Sequence, residues 1–423
     1  MKYIEILSLT IISTLVLFSC TNDTGSVEVN YLEATAIYGD MDDIRAIPLN
    51  ETPRQIENPG KIYIGEDFVL IGEEEKGIHV INNSNRENPV TDAFIRIPGN
   101  KEFYVSGQYI YAESYYDMLK IDISNPYQAL LTSRSKNAIQ NEFINDKGET
   151  LIGFSYQDKT VTLNENDDFM TEVLDDQLVY LDFAQNVIPK SSVPSSFSGN
   201  SAQSIGTINR ITKFEDHIYV VSNNNMIILK DDENGLSKEA IRLENIKEDM
   251  ETIFPYQNNL FVGSKTSMSI FNISNNGHPI ELYEFEHATS CDPVLPYNDV
   301  AYITLRTADF SKCPGNINAL LAIDISDLSK PVQIDEKQLA SPYGMSVIND
   351  HLFVGNGENG LSIFDVSDPH HPILIKTNKE IIAFDIITDP SDAEYLFIAG
   401  SNGMNQYKIG DDLSLNLTSN IDY

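Results

Sequence analysis

The sequence predicts an all-β fold, a β-propeller of four-stranded blades, on three observations. A strand-and-turn segment recurs along the chain at intervals of about 45 residues, the length of a propeller blade. The strands alternate apolar and polar side chains with period two. No stretch keeps a 3.6-residue apolar period for more than a turn or two. Five segments carry the recurrence plainly: GIHVINNSNRENPV (77–90), LKIDISNPYQAL (119–130), MSIFNISNNGHPI (268–280), LLAIDISDLSKPV (320–332) and LSIFDVSDPHHPI (361–373). Each is a strand, an Asp or Asn, and an apolar-Ser-Asp/Asn turn usually closed by Pro. Ser, Asn and Asp bond their own backbone in such turns, and Pro presets φ.

The Asp/Asn position acts as a ruler: Asn82, Asp122, Asn272, Asp324 and Asp365, with gaps of 40, 150, 52 and 41. The gap of 150 calls for two further units, supplied by VYLDFAQN around Asp182 and IILKDDEN around Lys230, and QYKIGDD around Lys408 adds one more. The count favours eight blades, with seven the alternative. A second strand precedes each unit, as in DFVLIG (67–72), QYIYAES (108–114), ETLIGFS (149–155) and EYLFIAG (394–400), and a weaker inner strand precedes that. Residues 31–48 read as an extra strand or cap. The segment 157–177 reads as an acidic insertion and 191–204 as a small-residue linker, both within one propeller domain over 31–423.

Composition narrows the function. The chain has 423 residues, 63 acidic and 28 basic, for a net charge of −35. Such a surface repels phosphate backbones and anionic lipid headgroups, so nucleic-acid partners are excluded and any membrane link must be covalent or hydrophobic. With 41% hydrophobic residues, 21 Tyr and 19 Phe, the chain can fill a sizeable core.

Residues 6–19 (ILSLTIISTLVLFS) carry no charge and follow Lys2. The run is too short to span a bilayer and fits a secretory signal over 1–19. It ends in Leu17-Phe18-Ser19-Cys20, which resembles the lipobox of bacterial lipoproteins. The resemblance implies lipidation at Cys20, a polar tether over 20–30, and a place in the cell envelope, with the outer membrane favoured because Thr21 follows Cys20 where Asp would signal retention. An ordinary secretory signal with an incidental Cys is the alternative. In an oxidising compartment the remaining Cys291 and Cys313 most simply form a disulfide. A metal-ligand pair is the weaker alternative, two thiols being an incomplete ligand set.

The strand-Asp-Ile/Val-Ser-Asp/Asn-Pro unit resembles the LVIVD-repeat family, propeller-like exported proteins of bacteria, over residues 38–408. ENPGKIYIGEDFVLIGEEEKGIHVINNSN (57–85) and SCDPVLPYNDVAYITLR (290–306) are similar to stretches of such lipoproteins in Bacteroidetes-type bacteria. The resemblance implies a propeller and export, and no activity. WD repeats and sialidase Asp-boxes need Trp, which is absent, and kelch blades need Gly-Gly pairs, which are absent too.

Chemical motifs are few. Gly355-Asn356-Gly357-Glu358-Asn359-Gly360 matches a dinucleotide fingerprint in letters, but a strand follows it where a helix is needed, so it reads as a hairpin turn. Asp231–Gly235 lacks the acidic first and twelfth positions of an EF-hand. An irregular Ca²⁺ site there or at Asn164–Asp168 is the one cofactor left open; otherwise no cofactor, no metal ligand and no catalytic residue is expected. None of the seven His forms an H-E-x-x-H or H-x-H pattern, and His370-His371 reads as part of an exposed turn. Repeat positions place Glu102, Arg210, Glu251, Asp292, Arg306, Tyr343 and Asp385 near the axial mouth, where propellers bind ligands. Tyr109, Tyr111, Tyr115 and Tyr116 suggest an aromatic patch, part of it packed in the sheet. The expected function is a non-catalytic, lipid-anchored, monomeric scaffold that binds a protein, peptide or glycan. The second reading is an envelope hydrolase or lyase using axial carboxylates, with or without a metal.

Overall fold

The computed structural model describes residues 27–139, 144–163 and 210–423, apart from positions 223, 249, 265–266, 287–292, 308–316, 390 and 402. The chain divides into two compact units, Met1–Tyr38 with Leu151–Ser198, and Gly39–Thr150 with Gly199–Tyr423. The described part of the first is a two-stranded sheet of Val27–Gly39 and Thr150–Leu163.

The second unit is a ring of seven antiparallel sheets, each built from consecutive strands. The innermost strands are Pro59–Ile64, Phe103–Ser106, Ile211–Phe214, Met250–Tyr256, Val294–Tyr297, Met345–Ile348 and Asp385–Thr388, here numbered blades one to seven. The turn chemistry read from sequence forms as expected. In five blades the Asp or Asn closing the third strand accepts the backbone N–H two residues on: Ser84 to Asn82, Ser124 to Asp122, Ser274 to Asn272, Ser326 to Asp324 and Ser367 to Asp365, at 2.8–3.1 Å. The intervening residue donates its N–H to the residue leading the second strand. This bond occurs once per blade: Asn83 to Asp67, Ile123 to Gln108, Asp231 to Asp216, Ile273 to Asn258, Ile325 to Asp299, Val366 to Asp350 and Ile409 to Glu394.

Seven apolar clusters hold the ring, each shared by two neighbouring blades. Alternation along each strand sends one set of side chains to the preceding blade and the other to the following one, which is why the sequence is apolar at successive positions in the second and third strands. Each buried Ile, Leu, Val or Phe contributes about 1.5–3 kcal/mol. Tyrosines add polar pins between blades. The Tyr219 hydroxyl donates to the Gly277 carbonyl at 2.8 Å, that of Tyr302 to Pro369 at 2.7 Å, and that of Tyr111 to the Asp231 carboxylate at 2.6 Å.

Among the described residues no strand is shared between blades seven and one. They meet through Ile62, Ile64, Val69 and Ile71 packed on Phe397, Ala399 and Met404. A reciprocal amide pair, Asn83 with Gln406 at 2.7 and 3.2 Å, and an ion pair, Arg86 with Asp389 at 2.5 Å, complete the joint. The amino-terminal cap does not close the ring. Asn50–Glu51 adds a fifth strand to the outer edge of blade one, and the short helix Met41–Arg45 brings Arg45 to Asp117 of blade two at 2.8 Å.

The count of eight blades is therefore corrected to seven. ETLIGFS (149–155), assigned as the second strand of an extra unit, belongs to the strand paired with Val27–Gly39. Strand-like alternation cannot say which partner a strand will take. The segment around Asp182, the linker 191–204, the signal 1–19, Cys20, Cys291 and Cys313 lie outside the described residues. No helix among the described residues is long and apolar enough to cross a membrane.

Candidate functional site at the axial mouth

Pairing of the inner strands with their neighbours puts seven positions in common register: Tyr63, Tyr104, Thr212, Phe254, Leu295, Ser346 and Ile387, opposite Leu70, Tyr111, Tyr219, Phe261, Tyr302, Phe353 and Phe397. Two residues earlier, on the same strand face, lies a second tier: Lys61, Glu102, Arg210, Thr252, Pro293, Gly344 and Asp385. This tier divides the ring. Blades seven, one, two and three present Asp385, Lys61, Glu102 and Arg210, alternating in sign. Blades four to six present Thr252, Pro293 and Gly344, without charge. Below it runs a channel of ≈ 470 Å³ lined by Tyr63, Tyr104, Phe254, Leu295, Val347 and Ile387, among others.

Charges of the first arc act on one another. Lys61 is held below the usual lysine range by burial, against the opposing pull of Glu102 and Asp385. Burial pushes Glu102 up to about 8; Lys61 counters this, and the neighbouring Glu113 adds to it. Glu113 is itself raised by burial, with Lys101 and Arg210 opposing. One oxygen of Glu102, Oε1, is buried without a hydrogen-bond partner among the described residues. Burial also raises the Tyr423 phenol, with Asp385 contributing. Gly344 is required by close approach: a Cβ there would lie 1.6 Å from Asp385 Oδ1.

The uncharged arc carries a ledge of a different kind. The Arg306 guanidinium lies over the Tyr343 ring at 4.1 Å, and Tyr343 meets Phe384 edge-on at 5.0 Å. Tyr343 and Phe384 directly precede the tier residues Gly344 and Asp385. Thr304, two residues before Arg306, donates its hydroxyl to the Tyr343 carbonyl at 2.8 Å. The Gly355–Gly360 segment is the expected hairpin turn. Gly357, at φ 56°, exchanges backbone hydrogen bonds with Ala383 and supports the ledge from below.

Of the residues singled out from sequence, the tier contains Glu102, Arg210 and Asp385, and Arg306 and Tyr343 form the ledge. Glu251 and Tyr343 each stand one residue before the tier position of their blade, Glu251 at the register shift between Met250 and Thr252 and Tyr343 ahead of the strand Met345–Ile348. Asp292, one residue before Pro293, lies outside the described residues. Lys61 and Glu113 were missed. Lys61 was legible in one signal: the tier residue stands six positions before the residue leading the second strand in blades one to six, and nine before it in blade seven. Of the four tyrosines, Tyr111 is buried between blades, as expected for part of the patch, while Tyr109, Tyr115 and Tyr116 are half-buried, Tyr109 under Lys120 at 4.3 Å. At the acidic turn, the Asp231 carboxylate takes the Tyr111 hydroxyl and, at 2.7 Å, the Lys120 ammonium, while Asp232 caps the Asn234 N–H at 2.8 Å. Asn164–Asp168 lies outside the described residues, and among those described no group of three His, Cys, Asp or Glu side chains is placed to hold a metal.

Several solved structures resemble this chain at low sequence identity. BamB from Moraxella catarrhalis is 7% identical, with 82% of each chain covered and a TM-score of 0.46. The Pan2 WD40 domain of Neurospora crassa is 8% identical, covering 81% of this chain and 86% of that one, with a TM-score of 0.49. A protein of unknown function from Desulfotomaculum acetoxidans is 10% identical, covering 85% and 98%, with a TM-score of 0.46. Likenesses this weak carry no argument about what the chain does. No curated protein matches it in sequence. The LVIVD repeat matches residues 315–335 and 343–378. The second match contains all four strands of blade six, Met345–Ile348 to Ile373–Asn378, and the first contains the third strand of blade five, Ala319–Asp324. The chain is thus a seven-bladed propeller that carries LVIVD repeats, the repeat being the sequence form of one blade.

Proposed function

We propose that this chain is a binding or scaffold propeller of the bacterial cell envelope, anchored by lipid on Cys20, that presents its axial mouth to a protein, peptide or glycan and catalyses no reaction. The observation that carries the binding role is the asymmetric tier over an open channel: a charged arc faces an uncharged one on a ring locked by seven apolar interfaces. Its side chains act on one another electrostatically, Lys61 with Glu102 and Asp385, and Arg210 with Glu102 and Glu113. That arrangement suits a preformed recognition surface, which binds without the ordering cost of a mobile one.

The test pairs two measurements. Mass spectrometry of the mature protein should find a multiply acylated Cys20, and Cys20→Ala should release the protein from membranes; an unmodified amino terminus removes the anchor. Cross-linking in envelope extracts should capture a partner with the wild type and lose it with Lys61→Met combined with Asp385→Asn. Capture that ignores these changes moves the binding surface away from the mouth.

One observation favours a second reading. A carboxyl raised to about 8 with an unpartnered oxygen, as at Glu102, is the state of a general acid or base in hydrolases and lyases. Turnover of an envelope substrate that Glu102→Gln abolishes, with binding unchanged, would establish it.

A further inference from the structure

Among the described residues that line the axial channel, Lys61 alone carries an amine. It is half-buried and stands two residues before Tyr63 on the inner strand of blade one. The lining from the other side is apolar: Phe254, Leu295, Val347 and Ile387 come from blades four to seven. At ≈ 470 Å³ the space falls in the range of small-ligand pockets. An ammonium is strongly hydrated and costly to hold against such a wall, and the neutral amine is not.

The surrounding groups decide between the two forms. Burial favours the neutral amine and outweighs the pull of Glu102 and Asp385. Glu102, itself pushed up to about 8, is largely protonated at pH 7, so the pair settles as an amine beside a carboxylic acid. Tyr63 and Tyr104 also line the channel and are raised by burial, and Tyr297 is raised by its bond to Asp350, so the phenols add no charge at that pH. A desolvated lysine amine is a nucleophile toward carbonyl carbon. Its Nζ lone pair adds to that carbon and the π electrons move to the oxygen. The oxygen takes up both protons that the nitrogen gives up, with Glu102 as relay, and leaves as water. A C=N bond then joins lysine to ligand. The apolar wall keeps off the water that would reverse the step.

We propose that the axial channel captures an apolar aldehyde, Lys61 forming a reversible imine with its carbonyl carbon and the apolar chain lying along the channel wall. Capture is stoichiometric and involves no turnover. The inference goes beyond partner binding but rests on the axial mouth being the binding site.

Incubating the full mature chain with hexanal and cyanoborohydride tests it, because reduction fixes the imine as a stable secondary amine that peptide mass spectrometry locates. At pH 7 Lys61 should be alkylated ten times or more faster than the exposed Lys238 and Lys379. The advantage should shrink as pH rises toward 10, where exposed amines lose their protons. Glyceraldehyde, whose body is polar, should show no such preference for Lys61. Lys61→Arg keeps the charge without a nucleophilic amine and should remove the adduct from the channel segment. Alkylation of Lys61 no faster than that of the exposed lysines, or the same preference with glyceraldehyde, overturns the proposal. If Lys61 stays unlabelled while partner capture still depends on Lys61 and Asp385, the imine proposal falls and the binding function stands. If both fail, the axial reading falls with it.

Discussion

Glu73 offers the sharpest test of how the first blade is held. Its carboxylate is buried at 1% exposure at the end of the second strand of blade one. It accepts the backbone N–H groups of Glu57 at 3.0 Å and Asn58 at 3.1 Å, His79 Nε2 at 2.8 Å and the Lys76 ammonium at 3.2 Å. Burial opposes ionisation here, but these bonds, led by that to His79, prevail and lower the carboxyl from 4.5 to about 2. A displacement of that size corresponds to about 3 kcal/mol of stability. Because the folded value lies below the unfolded one, the contribution is fully present above pH 4.5 and is lost as pH falls toward 2. Glu73→Gln should therefore unfold at lower urea concentration than the wild type at pH 7, by about 3 kcal/mol. The gap between the two proteins should close on acidification through that window. Comparing the proteins at each pH cancels the general acid response of the other carboxylates. Equal stability at pH 7, or a gap that stays constant from pH 6 to pH 2.5, would refute the reasoning.

Three further outcomes follow from the same structure. Gly344→Ala drives a methyl against the Asp385 carboxylate and should destabilise by about 1–3 kcal/mol, read as a lower thermal midpoint; Asp385→Asn leaves the clash in place and should not rescue it. Glu102 titrates in the opposite sense to Glu73: with its folded value raised, its contribution is present below pH 4.5 and lost as pH rises toward 8, so Glu102→Gln should gain stability relative to the wild type between pH 6 and pH 9 in parallel melts. Tyr302→Phe removes the hydroxyl that pins blade five to the Pro369 carbonyl of blade six and should cost about 1 kcal/mol in urea unfolding, where a surface Tyr→Phe change would cost nothing measurable.

Much of the blade was legible because its chemistry is local. The Asp365-Val366-Ser367 turn declares itself through residue types: a side chain bonding its own backbone two residues on needs no distant partner. The apolar alternation of His351–Gly355 and Leu361–Asp365 likewise needs only a sheet with two covered faces. The axial site was half legible. Glu102 and Asp385 stand at the tier position that leads their inner strands, and Glu251 and Tyr343 stand one residue before it. The inner strands are short and carry the weakest pattern, and a shift of one residue changes the face without changing the alternation.

By itself, then, the sequence determined the strand, the turn and their repetition, together with a net charge of −35, because these depend on neighbours within a few residues or on composition alone. Only the tertiary structure decided that the ring holds seven blades, that ETLIGFS (149–155) pairs with the amino-terminal strand instead of forming an eighth, and that Arg306 comes to rest on Tyr343 from the next blade. Each of these is a choice of partner between segments far apart in the chain. Such choices are made by closing a ring of shared apolar faces, a condition that no single segment carries in its own residues.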